Sequence, residues 1–199
     1  SEAVAERALK NRALSYLVAT EQAAYHALAS HQYHVANNMT DRLAAFNALI
    51  TSSYPERDVL IDDFYQQWQD NTLVLDKWFA LQAMSPKLET LDAVKKLLKH
   101  TDFSMSNPNK VRSLIGAFTS NLVSFHREDG LSYEFLADKV IELNDINPQV
   151  AARLVGVFNS WKSYSEPNKS LMKGQLERIY KTDNLVNDVT EIVSKALKN

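Results

Sequence analysis

The segment Asn107-Pro-Asn-Lys-Val-Arg-Ser-Leu-Ile-Gly-Ala-Phe118 returns forty residues later as Asn147-Pro-Gln-Val-Ala-Ala-Arg-Leu-Val-Gly-Val-Phe158, with five of twelve positions identical. Each half reads as one helix with its start written in. An Asn side chain can accept from the free N–H groups of a first turn, and Pro at the first helical position has no N–H to leave unpaired. Leu114, Ile115 and Phe118 then mark an apolar face, as Leu154, Val155 and Phe158 do in the second copy. A glycine inside a helix costs about 1 kcal/mol relative to alanine. Its recurrence at 116 and 156 leads us to expect another backbone packed closely against each. A period of forty points to stacked antiparallel helical hairpins of the HEAT or armadillo kind, two helices to a repeat. Such an architecture offers surfaces for contact and no chemistry of its own.

The rest of the chain agrees with an all-α superhelix. All five prolines (Pro55, Pro86, Pro108, Pro148 and Pro167) are expected at helix starts, and four glycines are too few for a sheet-and-turn protein. The pattern predicts eleven helices, near 2–18, 20–33, 39–52, 55–69, 72–83, 87–99, 108–120, 131–144, 148–162, 167–180 and 184–197. Leu88, Leu91, Val94 and Leu98 carry the helical period, as do Leu185, Val189, Ile192, Val193 and Leu197. The stretches 100–107 and 121–130 read as the longer loops. With 199 residues, 45% of them hydrophobic, one domain over 1–199 is the default. A net charge of −2 gives no electrostatic reason to expect nucleic acid or an anionic membrane as partner. There is no cysteine, which excludes disulfides and thiolate chemistry and agrees with a reducing compartment. No apolar run approaches a membrane span, and no signal peptide opens the sequence. The first residues are already helical in pattern without a Met, which points to a piece of a longer chain.

A search for a catalytic constellation finds none. His26, His31 and His34 lie close together, but they lack the Glu and the i,i+4 histidine pair of a zinc-protease helix, so ordinary surface or half-buried histidines are expected. His100 and His126 stand alone and read the same way. Asp58, Asp62 and Asp63 read as a solvated acidic face. Phe64, Tyr65, Trp68, Trp78 and Phe79 fall at helical spacings and read as core. Asn38-Met-Thr and Asn168-Lys-Ser match the glycosylation sequon, a weak three-residue signal. No metal site and no cofactor site is expected within these residues.

Longer motifs carry more information. Asn37-Asn-Met-Thr-Asp-Arg-Leu-Ala-Ala45, Leu73-Val-Leu-Asp-Lys-Trp-Phe-Ala-Leu-Gln-Ala83 and the two copies of the repeat occur in order. Together they closely resemble the C-terminal part of bacterial aminopeptidase N, the zinc-dependent alanyl aminopeptidase of the gluzincin class. The resemblance runs from about Leu9 to Leu197. It implies a parent that removes N-terminal residues from peptides, using zinc held by a His-Glu-x-x-His helix and a distal Glu, with a Gly-x-Met-Glu-Asn loop for the free amine. None of these motifs is present here. The resemblance therefore implies the superhelix that covers the catalytic domain in the bacterial cytoplasm and forms a chamber for peptide substrates, with the catalytic domain of the same parent chain as its partner.

Two arginines lie in the matching motifs, Arg112 and Arg153, and the resemblance implies that they look toward the substrate. Their positions alone also fit structural arginines paired with a carbonyl or carboxylate at the margin of an apolar face. Aligning the repeats sets Arg112 against Ala152 and Arg153 against Ser113, so neither belongs to the repeat's own consensus. Two further readings stay open: a stand-alone helical scaffold for a protein or peptide, and an enzyme in its own right, which the empty motif search disfavours. If the first helix begins inside a repeat array, Val4, Ala8, Leu14 and Leu17 should be partly exposed and drive self-association.

Overall fold

The computed structural model describes residues 2–198. Among them twelve helices form and no strand does. They are α1 (Glu2–Val18), α2 (Ala23–Val35), α3 (Met39–Ile50), α4 (Arg57–Trp68), α5 (Thr72–Ala83), α6 (Thr90–Leu97), α7 (108–119), α8 (Leu122–Phe125), α9 (Leu131–Ile146), α10 (148–163), α11 (Asn168–Tyr180) and α12 (Asn187–Lys198). Eleven of these answer the expected helices. The addition is α8, inside a stretch read as loop. Asn121 caps it, accepting from the Ser124 amide at 3.2 Å, while its own amide donates to the carbonyls of Ala83 and Ser85. The signal was Asn before Leu-Val-Ser, too short a run for periodicity to register.

Several helix starts need correction. Only Pro108 and Pro148 occupy a first helical position. Pro55 and Pro86 precede their helices by two and four residues, and Pro167 is the N-cap of α11. Because α6 begins at Thr90, Leu88 lies outside the helix and is exposed. The buried face is Leu91, Val94 and Leu97.

The helices divide into two compact units, the first ending at Trp78 and the second beginning at Phe79. In the first, α3 packs against α1, α2 and α4. Tyr33, Phe46 and Phe64 are fully buried there, with the Phe46 and Phe64 rings 4.5 Å apart. A polar tie fastens α1 to α3. Asp41 accepts from Lys10 at 2.6 Å and from Asn11 at 2.9 Å, and Asn38 caps α3 beside it. Burial alone would raise the Asp41 carboxyl, but the bonds from Lys10, Asn11 and Asn38 outweigh it and hold the group below its ordinary value. The expected exposure of α1 holds in part. Val4 and Ala8 face solvent, but Leu14 is buried and Leu17 half-buried, while Leu9 and Tyr16 are the large exposed side chains.

In the second unit, α9 packs against α10 and α11, and α12 against both of these. The repeated apolar face holds: Leu114, Ile115, Phe118, Leu154, Val155 and Phe158 are all buried. Both written caps form as well. The Asn107 side chain accepts from the amides of Asn109 and Lys110, and the Asn147 side chain from that of Val150. Beyond that the copies diverge. In α7 the stretch Arg112–Gly116 winds as a π-helical turn, whereas α10 tightens into 3-10 geometry from Gly156 to Ser163.

The repeated glycines do not mark close helix crossings. A Cβ built on Gly116 would meet nothing nearer than the Arg112 Cγ at 3.6 Å, and on Gly156 nothing nearer than the Asn159 Nδ2 at 3.8 Å. Both have right-handed helical dihedrals that any residue adopts. What they share is position: each stands where its helix changes pitch. Gly116→Ala and Gly156→Ala are therefore expected to raise stability by about 0.5–1 kcal/mol each, read as a rise in Tm. A loss in either would restore the close-approach explanation. The glycine that the backbone does require is Gly130, with φ of 72° at the start of α9 and the Leu171 side chain 3.0 Å from where its Cβ would lie.

Candidate functional site

The two arginines singled out by motif come together. Arg112, on the π-helical turn of α7, and Arg153, in the last turn of the regular part of α10, line one groove of about 400 Å³ in the second unit. The caps explain why. Asn107-Pro108 and Asn147-Pro148 start two helices in equivalent ways, and Arg112 lies five residues after Asn107 while Arg153 lies six after Asn147. The groove wall is completed by Val111, Val150, Leu154 and Val157, with Gln149 at its edge.

Both guanidinium groups belong to exposed residues. The Arg112 Nη2 donates to the Asn109 side-chain oxygen one turn back, a neutral partner that orients the group without neutralising it. Arg153 has no hydrogen-bond or ion-pair partner among the described residues. Neither arginine has a carboxylate partner among the described residues. Two positive charges beside the partly exposed Val150 and Val157 can hold an anionic group that carries an apolar part. Sequence reasoning found the arginines but not Gly116, Thr119 and Gln149, which share the groove. Only the repeat offset of Gly116 pointed that way.

Several of the other residues weighed from sequence have structural partners. His26 is buried with its Nε2 3.2 Å from a Glu21 carboxylate oxygen, and the His34 Nδ1 lies 2.8 Å from the Ser30 carbonyl. With His31 they border an open depression in the first unit, yet no group of three metal-ligating side chains occurs among the described residues. The residues present would not hold a zinc ion. Asp63 accepts from the Tyr33 hydroxyl at 2.8 Å, and Asp58 is exposed beside Arg57. Both sequon asparagines use their side chains internally, Asn38 as a cap and Asn168 in the cluster described next.

His126 is not an ordinary surface histidine. Its Nδ1 is 2.8 Å from the Tyr133 hydroxyl and its Nε2 is 3.0 Å from the Tyr164 hydroxyl. The Asn168 amide donates both to the Tyr133 oxygen at 2.8 Å and to the His126 carbonyl at 2.7 Å. Since Tyr133 already accepts from Asn168, its own proton goes to Nδ1, which assigns the ring proton to Nε2. Burial holds His126 below its ordinary value and pushes the Tyr133 hydroxyl up to about 12. The cluster joins the segment after α8 to α9 and to the start of α11, a structural task.

Comparison with known proteins bears on the whole chain. The model of a family described as a domain of unknown function (DUF3458_C) with ARM repeats matches residues 1–198. The chain belongs to this ARM-repeat family. It is similar to aminopeptidase N of Escherichia coli strain K12, with 45% identity over 197 residues that make up 98% of this chain and 23% of that protein. Aminopeptidase N of Haemophilus influenzae is 42% identical over 196 residues, covering 98% of this chain and 22% of its own length. Among solved structures, Legionella pneumophila aminopeptidase A in complex with aspartic acid superposes with a TM-score of 0.92 at 33% identity, over 96% of this chain and 23% of that one. These likenesses place the chain with the C-terminal domains of aminopeptidases. The chain spans less than a quarter of the relatives' length. No helix among the described residues is long and apolar enough to cross a membrane.

Proposed function

We propose that this chain is the C-terminal repeat domain, over 1–199, of a zinc aminopeptidase N acting in the bacterial cytoplasm, where it covers the active site and shapes the peptide chamber. The catalytic domain of the same parent chain is its partner, and that domain holds the zinc. Peptides entering the chamber meet Arg112 and Arg153. The observation that carries this reading is the groove itself: two motif arginines, forty-one residues apart in sequence, line one opening, and no carboxylate among the described residues pairs with either. A guanidinium presents paired N–H donors that match a carboxylate, which suits the end of a peptide several residues from the scissile bond.

The source reading frame tests the domain assignment. A His-Glu-x-x-His sequence a few hundred residues upstream supports it. A frame without one turns the reading to a stand-alone helical scaffold. Elemental analysis and an alanine-amide chromogenic assay on this chain by itself should show neither zinc nor hydrolysis, and activity here would overturn the division of labour.

The partly exposed α1 supports a second expectation. Val4, Leu9 and Tyr16 are 56%, 75% and 67% exposed, a concentration of apolar surface that terminal repeats ordinarily avoid. The isolated chain should self-associate with rising concentration through α1, and Leu9→Glu should weaken that. A strict monomer at high concentration by light scattering would count against it.

A further inference from the structure

Each arginine of the groove follows a carboxamide on its own helix. Asn109 stands two residues after the capping Asn107 and Gln149 two after the capping Asn147, so these two are equivalent in the repeat although the arginines are not. Arg112 comes three residues after Asn109 and Arg153 four after Gln149, the two spacings at which helical side chains meet. In the first copy the pair is made, the Arg112 Nη2 donating to the Asn109 side-chain oxygen. The Asn109 backbone is itself held from two sides. Its amide donates to the Asn107 side chain at 3.0 Å, and its carbonyl accepts from the Ser113 hydroxyl at 2.7 Å. In the second copy Gln149 lines the groove together with Arg153, and among the described residues no hydrogen bond joins them.

Both carboxamides are the second residue of their helix, where the free N–H groups of the first turn favour a carboxylate. An Asp at 109 or a Glu at 149 would gain that stabilisation and a charged pair with the arginine one turn on. It would also cancel the guanidinium charge. Helix stability therefore does not account for an amide at either place, whereas an arginine kept available for an anion does.

We propose that Asn109 and Gln149 are positioning residues that spare the charge of the groove: Asn109 fixes the direction of the Arg112 guanidinium without neutralising it, and Gln149 leaves Arg153 unpaired for an entering anionic group. This rests on the peptide-binding reading above and adds to it the residues that set the strength of the anion contact.

The test uses the 199-residue chain and an N-acetylated tetrapeptide ending in Leu, as free acid and as amide, followed by NMR titration. Acetylation removes the amino-terminal charge, so the preference reports on the other end. The natural sequence is expected to bind the acid at least about tenfold more tightly than the amide. Asn109→Asp and Gln149→Glu keep the shape of each side chain and should hold or raise the Tm, because a carboxylate suits a first helical turn. Each should nevertheless cut the preference for the acid to about threefold or less. Asn109→Ala, which frees Arg112 without neutralising it, should weaken the acid by only about two- to threefold. With Arg112→Ala already in place, adding Asn109→Asp should change the preference by less than about twofold. An acid preference that survives both carboxylate variants unchanged would overturn the positioning role and leave the peptide reading standing. So would a loss from Asn109→Asp that is equally large without Arg112, since the added charge would then act independently of the arginine. Acid and amide bound alike by the natural sequence, or no binding of the acid at millimolar concentration, would overturn the peptide reading and the positioning role with it.

Discussion

Arg153→Ala in the full-length parent is expected to lower kcat/KM for peptides long enough to reach the groove by about one to two powers of ten. One charge-assisted hydrogen bond is worth about 1.5–3 kcal/mol, and each 1.4 kcal/mol or so is tenfold in rate. Arg112→Ala should act in the same direction. An aminoacyl chromogenic substrate has no distal carboxylate and should be cleaved almost as before. Stability separates this from a structural role. Arg153 has no partner to lose among the described residues, and Arg112 loses only an exposed bond to Asn109, so each Tm should stay within the equivalent of about 0.5 kcal/mol. A dipeptide, a longer peptide and the chromogenic substrate, measured side by side on both variants, decide the matter. Equal losses on all three would sink the substrate-binding role.

Tyr133→Phe should destabilise this chain by about 1–3 kcal/mol, the cost of leaving a buried hydrogen-bonding group unsatisfied. Tyr133 is fully buried, and without its hydroxyl the His126 Nδ1 has no donor and one Asn168 N–H no acceptor. The same cluster makes stability depend on pH. Because the folded chain holds His126 below its ordinary value of 6.5, the unfolded chain takes up the proton first as pH falls. Stability contributed by neutral His126 is complete above about pH 6.5 and is lost progressively below it, until the folded form is protonated as well. Once charged, the ring offers two N–H donors, and the Tyr133 proton has to turn away from Nδ1. Denaturant unfolding at pH 7.5 and pH 5 should show this loss in the natural sequence and a smaller one in His126→Gln. Identical slopes would remove His126 from the pH dependence.

Local capping and periodicity were legible because their causes are local. Asn107 and Asn147 cap their helices as written, and the apolar triads after them are buried, since an N-cap and a helical stripe depend on residues within a turn or two of one another. Where the signal was short or the partner remote, sequence fell short. Asn121 starts α8 through one cap and two bonds to carbonyls nearly forty positions earlier, and neither carbonyl is visible from Asn121's neighbours in the chain. Leu88 has the spacing of its helix but precedes it, because α6 starts late, at Thr90, whose side chain donates to the Ser85 carbonyl.

The glycines and the arginines divide the two kinds of knowledge most clearly. Sequence showed that Gly116 and Gly156 are equivalent, and also that Arg112 and Arg153 are not, since each stands opposite a small residue of the other copy. It assigned the glycines the wrong cause, because a close approach is a property of two elements and only one of them is written near 116. The gathering of two non-equivalent arginines and one glycine into a single groove depended on the tertiary structure, which brings residues of α7 and α10 to one opening. That placement comes from tertiary packing across forty residues, and helical periodicity fixes only which face of each helix is buried.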